Sequence, residues 1–126
     1  MSGCGGGGGS SNGPTAEQIV GTYSLYDFEF LYDNGLALGP QNYWSCYGYL
    51  SVNPDGSYYA EWIFNNQPMQ DWGSWMQQSS SAALLYSDYY DCTIYLPFRF
   101  QGGFLITVND HQCGNDTRWT NVWARN

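Results

Sequence analysis

Residues 93–108 read TIYLPFRFQGGFLITV, and this stretch predicts an antiparallel β-hairpin. Its first half alternates between two sets of side chains, which is the period of a half-buried strand. One face would carry Ile94, Leu96, Phe98 and Phe100. Gly102-Gly103 can adopt the positive φ angles of a two-residue hairpin turn, so we expect Gln101 to oppose Phe104 across the ladder.

Strands and turns of the same kind continue along the rest of the chain. Asn53-Pro54-Asp55-Gly56 is a turn signal between two such strands, because proline presets φ and glycine accepts a positive φ. A capping box predicts a short helical turn at residues 15–18, and no long helical stripe follows it. The pattern predicts strands at 20–31, 36–38, 43–52, 57–64, 73–77, 82–86, 93–100, 104–108 and 117–125.

About eight short strands joined by hairpins, with no crossover helix, predict an all-β fold, either a sandwich or a closed barrel. Consecutive hairpins favour an antiparallel up-and-down β-barrel, because closing the meander removes the exposed strand edges. The 126 residues fit one domain of this kind. Residues 1–14 are rich in glycine and serine and are typical of a disordered tether, which leaves residues 15–126 for the barrel.

Composition excludes several classes of function. The net charge is −8 with three Lys+Arg residues, so nucleic acid is not expected as a partner. The apolar runs are too short to span a membrane, and an aromatic content of 19% excludes a disordered chain. Lysine is absent and His111 is the one histidine, so no nucleophile–base pair stands out. We expect no enzymatic activity, no metal and no cofactor.

Two short motifs, one in the first predicted strand and one in the last, are informative. Gly21-Thr22-Tyr23 follows the N-terminal turn, and Arg118-Trp119 lies on the last predicted strand. With these motifs the chain resembles small bacterial lipocalin-like, or calycin-type, lipoproteins. The resemblance implies an eight-stranded calyx with Tyr23 buried near its closed end and Arg118 across the tyrosine ring. Arg125, on the other face of the last strand, is the alternative arginine for this contact with Tyr23.

The N-terminal cysteine gives an expected cellular location. Ser2-Gly3-Cys4 is similar to the end of a bacterial lipobox, and Met1 looks like a start that replaced a removed signal sequence. The resemblance implies that Cys4 is acylated, so that the protein contacts a membrane through this lipid anchor only. We therefore expect an outer membrane lipoprotein of the bacterial cell envelope that faces the periplasm or the cell surface.

The other cysteines are Cys46, Cys92 and Cys113. Cys92 and Cys113 lie symmetrically about Gly102-Gly103, so a continuous hairpin would place them opposite each other and within reach of a disulfide. Cys46 would then be a buried free thiol, and a Cys46–Cys92 bond is the alternative pairing. Pro97 lacks the N–H that the ladder requires, so a bulge or a longer loop is expected near it.

The aromatic residues are the best candidates for a binding site, because a barrel of eight strands can hold one small ligand. The candidate lining residues are Trp44, Tyr58, Trp62, Trp75, Phe98, Phe100 and Trp119. The leading hypothesis is a monomeric, non-catalytic protein that binds a small hydrophobic or aromatic molecule. The alternatives are a periplasmic protein-binding module or inhibitor that acts on a basic partner, and a structural envelope barrel with a filled lumen.

Overall fold

The computed structural model describes residues 19–126, and these form a closed antiparallel β-barrel of eight strands. A further strand of two residues and one short 3-10 helix, Pro40–Asn42, lie between the first two barrel strands. The strands are β1 (Gly21–Tyr32), β2 (Ala37–Leu38), β3 (Cys46–Val52), β4 (Ser57–Phe64), β5 (Gln67–Ser79), β6 (Ala82–Ser87), β7 (Cys92–Gln101), β8 (Phe104–Asp110) and β9 (Thr117–Arg125).

The barrel is an up-and-down meander that closes between its first and last strands. From β3 to β9 each strand pairs with the next one in sequence, and β1 pairs with both β3 and β9. The β1–β9 ladder runs from Tyr23↔Arg125 to Tyr32↔Thr117 and contains a bulge between Leu25 and Asp27. The predicted fold class is confirmed. The predicted tether and N-terminal turn lie outside the described residues.

The hairpin that the sequence predicted most sharply has the expected register. Gln101 opposes Phe104 and Phe98 opposes Thr107. The ladder stops there because Pro97, the next residue of β7, has no N–H to donate. On the other side of the proline, the side-chain amide of Gln112 bonds to the backbone of Tyr95 in place of a partner strand. It accepts a hydrogen bond from the Tyr95 N–H and donates one to the Tyr95 carbonyl oxygen.

Strand β5 is much longer than predicted, since it begins at Gln67 and not at residue 73. The turn before it is Asn65-Asn66, and both asparagines have positive φ angles (51° and 65°). Asparagine tolerates this conformation, which suits the twist of a two-residue hairpin. Pro68 is accommodated opposite Ile63 in the same hairpin. The sequence prediction missed this turn because it contains no glycine.

The interior is packed with side chains from alternate positions of every long strand. In β4 the buried residues are Tyr58, Ala60, Trp62 and Phe64, and in β9 the same alternation buries Trp119, Asn121 and Trp123. The two ends of the barrel differ. At the closed end, where β1 begins and β9 ends, aromatic rings and Ile19 fill the lumen. At the open end, where β1 ends and β9 begins, a cavity remains.

The arginine at the closed end is Arg125, so the prediction that Arg118 covers the Tyr23 ring is wrong. Tyr23 is 1% exposed and donates a hydrogen bond to the Ile19 carbonyl oxygen. The Arg125 guanidinium carbon lies 5.1 Å from the centroid of the Tyr23 ring. Arg118 lies one residue before the inward-facing Trp119, and because neighbouring strand residues face opposite sides it is exposed on the outer wall.

Candidate binding site

The cavity at the open end has a volume of about 330 Å³. Its walls include Phe30 and Tyr32 from β1, Trp62 from β4, Met69 and Asp71 from β5, Asn109 from β8, Trp119 from β9 and the loop from Gln112 to Asp116. A smaller space of about 70 Å³ lies deeper in the lumen, between Leu50, Thr107 and Asn121. Trp62, Asp71 and Trp119 line both spaces, so the two adjoin within the barrel.

The loop that forms one side of the opening is held by a disulfide and by side-chain amides. Cys92 and Cys113 are bonded, which confirms the predicted pairing, with a Cα–Cα distance of 6.1 Å. The Asn115 amide nitrogen donates to the carbonyl oxygens of Asn109 and Thr117. Because these bonds join the loop to β7, β8 and β9, the rim of the cavity is built into the barrel wall.

Cys46 lies at the start of β3 and is 8% exposed. It is disulfide-bonded, so the prediction of a free thiol at this position is wrong. The alternative Cys46–Cys92 bond is excluded, because Cys92 is bonded to Cys113. The strand pattern predicted the burial of Cys46, but burial alone does not show whether a thiol is reduced.

His111 lies on the outer side of the rim and ties the rim loop to the turn after β1. Its Nδ1 is 2.5 Å from an Asp110 carboxylate oxygen, and its Nε2 is 2.8 Å from an Asp33 carboxylate oxygen. Hydrogen bonds to Asp110 and Asp33 raise the pKa of His111 above its ordinary value. The positive charge that His111 carries at lower pH is therefore held by these two carboxylates at the surface.

Asp71 is the one ionisable acid or base among the buried polar residues of the described barrel. It lies on the inward face of β5 and is 8% exposed. Its carboxylate accepts hydrogen bonds from the Tyr58 hydroxyl (3.0 Å) and the Ser87 hydroxyl (2.5 Å). Burial raises the pKa of Asp71, and the two hydrogen bonds oppose that shift because they stabilise the carboxylate.

The hydroxyl groups around Asp71 are positioned by their strands. Ser87 is fully buried at the end of β6 and accepts a hydrogen bond from the Tyr90 N–H. Strands β5 and β6 approach closely here at Gly73, where an added Cβ would lie 1.8 Å from the Tyr86 carbonyl oxygen. Burial and the charge of Asp71 raise the pKa of Tyr58, so Tyr58 remains a neutral donor to the carboxylate.

Three buried polar atoms of the lumen have no hydrogen-bond partner within residues 19–126. They are the indole nitrogens of Trp62 and Trp119 and the side-chain oxygen of Asn121. The Trp62 and Trp119 rings are 4.6 Å apart between centroids, and Phe30 stacks on Trp119 at 4.9 Å. A buried polar group without a partner costs free energy, so a ligand atom or a water molecule that bonds to any of these atoms would be favoured.

Of the seven predicted lining residues, three line the adjoining spaces at the open end and four lie elsewhere. Tyr58, Trp62 and Trp119 line the adjoining spaces. Trp44 is 64% exposed ahead of β3. The Trp75 indole N–H donates to the Asn53 carbonyl oxygen at the closed end. The remaining two, Phe98 and Phe100, pack within β7 away from the open end, with the Phe100 ring 5.9 Å from the Arg125 guanidinium.

Asp71 was missed as a site residue because the predicted fifth strand began at residue 73, which left this carboxylate outside any strand. Asn121, which alternates with Trp119 and Trp123 along β9, lies on the lumen wall. Within residues 19–126, no group of three His, Cys, Asp or Glu side chains is arranged to hold a metal ion. In the same part of the chain, no helix has the length and apolar character needed to cross a membrane.

The chain was compared with known protein families and with curated proteins. No family model and no curated protein matches it.

Proposed function

We propose that this protein is a non-catalytic binding protein of the bacterial cell envelope that holds one small molecule at the open end of its barrel. The molecule would carry an aromatic or apolar part, because Phe30, Trp62 and Trp119 form much of the cavity wall. The observation that carries the proposal is a cavity of about 330 Å³ lined by Trp62 and Trp119, whose indole nitrogens have no partner, with the unpartnered oxygen of Asn121 in the smaller space that adjoins it. Cavities of this size, mostly apolar with a few convergent polar groups, are typical of small-molecule sites.

The test uses N-phenylnaphthylamine, a neutral aromatic dye whose fluorescence increases in apolar surroundings. We expect saturable binding of one dye per barrel. Met69→Trp places an indole ring in the cavity beside Trp62, where the smaller methionine side chain lies. Overpacking of this kind should weaken binding of the dye about tenfold or more. The absence of saturable binding to the unaltered protein would overturn the proposal and would favour a structural barrel.

The matched control is Met76→Trp, which makes the same substitution on the same strand. Met76 is 61% exposed on the outer wall, so this variant should bind the dye as the unaltered protein does. Equal loss of binding in both variants would place the dye outside the proposed cavity.

The proposed anchor is a lipid on Cys4, supported by Ser2-Gly3-Cys4 and the glycine tether that follows. Cys4 lies outside the described residues, so the test is chemical. The protein is produced in a bacterium behind a lipoprotein signal peptide, and incorporation of labelled palmitate is measured with Cys4→Ser as control. Cys46 is disulfide-bonded, and Cys4 is the one cysteine of the sequence besides Cys46 and the Cys92–Cys113 pair. A sulfur that carries the lipid thioether cannot also bond to Cys46, so the anchor and a Cys4–Cys46 disulfide exclude each other. A peptide that joins Cys4 to Cys46 would therefore contradict the anchor.

A second candidate function is capture of a basic protein, as an inhibitor of a cationic hydrolase. It is favoured by three exposed rings beside the carboxylates of Asp88 and Asp91. Tyr89 and Tyr90 belong to the β6–β7 turn, and Trp72 of β5 packs against Tyr89. Exposed tryptophan and tyrosine are common anchors of protein interfaces. Size-exclusion chromatography with a lysozyme tests this. A complex that Trp72→Ala abolishes would support it, and no complex at low salt would contradict it.

A further inference from the structure

The cavity at the open end is acidic, and no basic side chain of residues 19–126 lines it. Asp71 lies inside it and Asp116 lies on its rim. Among the described residues no arginine lines it, because Arg99 and Arg118 are exposed on the outer wall and Arg125 lies at the closed end. His111, on the outer side of the rim, is occupied by Asp110 and Asp33.

Asp71 has hydrogen-bond donors but no ionic partner within residues 19–126. Tyr58 and Ser87 donate to its two oxygens, and both donors are neutral. A carboxylate that is mostly buried is costly unless its charge is paired. The chain places this one where a bound molecule can reach it, since Asp71 lines both the outer and the deeper space.

The aromatic walls around Asp71 suit a cation as well as an apolar group. The faces of aromatic rings attract cations, and tryptophan does so most strongly. Trp62 and Trp119 lie side by side in the wall, and Phe30 and Tyr90 contribute further rings. The two indole N–H groups need hydrogen-bond acceptors, and the Asn121 side-chain oxygen needs a donor.

We propose that the cavity binds a small aromatic amine, whose ammonium group pairs with Asp71 and whose ring lies against Trp62 and Trp119. A hydroxyl or carbonyl group on the same molecule would accept hydrogen bonds from the indole N–H groups. This inference rests on the proposed function and adds a charge requirement to it. Anions such as fatty acids are disfavoured, because Asp71 and Asp116 would repel their carboxylates and no basic side chain in the described barrel lines the cavity.

The experiment compares three molecules of nearly the same shape by calorimetric titration. Tyramine is cationic, tyrosol is its neutral alcohol analogue, and para-hydroxyphenylpropionate is anionic. We expect tyramine to bind about tenfold or more tightly than tyrosol, since a charge-assisted hydrogen bond is stronger than a neutral one. We expect the anion to bind most weakly.

Two variants connect the preference to Asp71. Asp71→Asn preserves the shape of the side chain and removes its charge, so tyramine should bind about as weakly as tyrosol. Glu29→Gln removes one charge from the exposed outer face of β1 and should leave the preference unchanged. The ratio of the tyramine and tyrosol affinities of the unaltered protein tests the preference for an amine even if Asp71→Asn folds poorly.

Each outcome has a distinct meaning. Tyrosol bound as tightly as tyramine would overturn the amine proposal and leave the proposed function standing. A preference for tyramine that survives in Asp71→Asn would overturn the role of Asp71. Failure of all three molecules and of N-phenylnaphthylamine to bind would overturn the proposed function as well.

Discussion

The guanidinium group of Arg125 lies over the ring of Tyr23, with the Arg125 Nη2 2.9 Å from the tyrosine hydroxyl oxygen. The two residues oppose each other in the ladder between β9 and β1, which is where the barrel closes. Arg125 also donates from Nη1 to the Val20 carbonyl oxygen. One side chain therefore joins the first strand, the last strand and the segment that enters the barrel.

Arg125→Ala should lower the free energy of unfolding by about 1–3 kcal/mol, because it removes the cation–π contact and the packed aliphatic stem. Urea denaturation measures the loss. Arg118→Ala is the control, and this change on the outer wall should stay within about 0.5 kcal/mol of the unaltered protein. Binding of N-phenylnaphthylamine at the open end of the barrel should be unchanged in both variants. Equal effects of the two variants on stability would contradict the assignment of Arg125 to the closure.

The disulfide between Cys92 and Cys113 closes a loop with a sequence separation of 21. Replacing both cysteines by alanine should cost about 3 kcal/mol of stability, because the unfolded chain regains the entropy of that loop. The same variant should bind N-phenylnaphthylamine more weakly, since Cys113 and Gly114 belong to the cavity wall. Unfolding in urea and dye titration give the two values. Undiminished dye binding would show that the rim loop does not shape the site.

The pairing of His111 with Asp110 and Asp33 predicts a pH dependence. The pKa of His111 is raised above 6.5, so its stabilising contribution is complete below that value and is lost as pH rises through the folded pKa. His111→Gln should abolish this loss when unfolding is followed across that range. The chain has one histidine, so the folded pKa can be read from a single set of imidazole NMR signals. An imidazole that titrates at or below 6.5 would contradict the pairing.

The hairpin of β7 and β8 could be predicted because its determinants are local. Alternation in residues 93–100 and the Gly102-Gly103 turn set the register, and the register in turn placed Cys92 opposite Cys113. The arginine of the closed end could not be chosen in the same way. The alternation of β9 showed that Arg118 and Arg125 face opposite sides, but the inward side depends on how the whole sheet curves.

The binding site depends on contacts that are distant in sequence, and this is why most of it was not predictable. Asp71 on β5 and Trp119 on β9 line one cavity, and only closure of the barrel brings these two strands to it. Ser87 on β6 donates the hydrogen bond that holds Asp71. The hydroxyl groups that hold Asp71 carry no sequence signal, because buried serine and tyrosine resemble any other strand residues. The aromatic content indicated a binding site for an aromatic or apolar molecule. The negative charge of Asp71 inside that site could be located only from the structure.

The most direct test of the central claim is an NMR titration of the tryptophan indole N–H signals with N-phenylnaphthylamine. We expect saturable shifts of the Trp62 and Trp119 signals, because both residues line the cavity and their indole N–H groups have no partner within the described barrel. The signal of Trp44, which is 64% exposed and does not line the cavity, should stay in place. Shifts confined to exposed tryptophans such as Trp44 and Trp72, or no saturable shift at all, would contradict a ligand site inside the barrel.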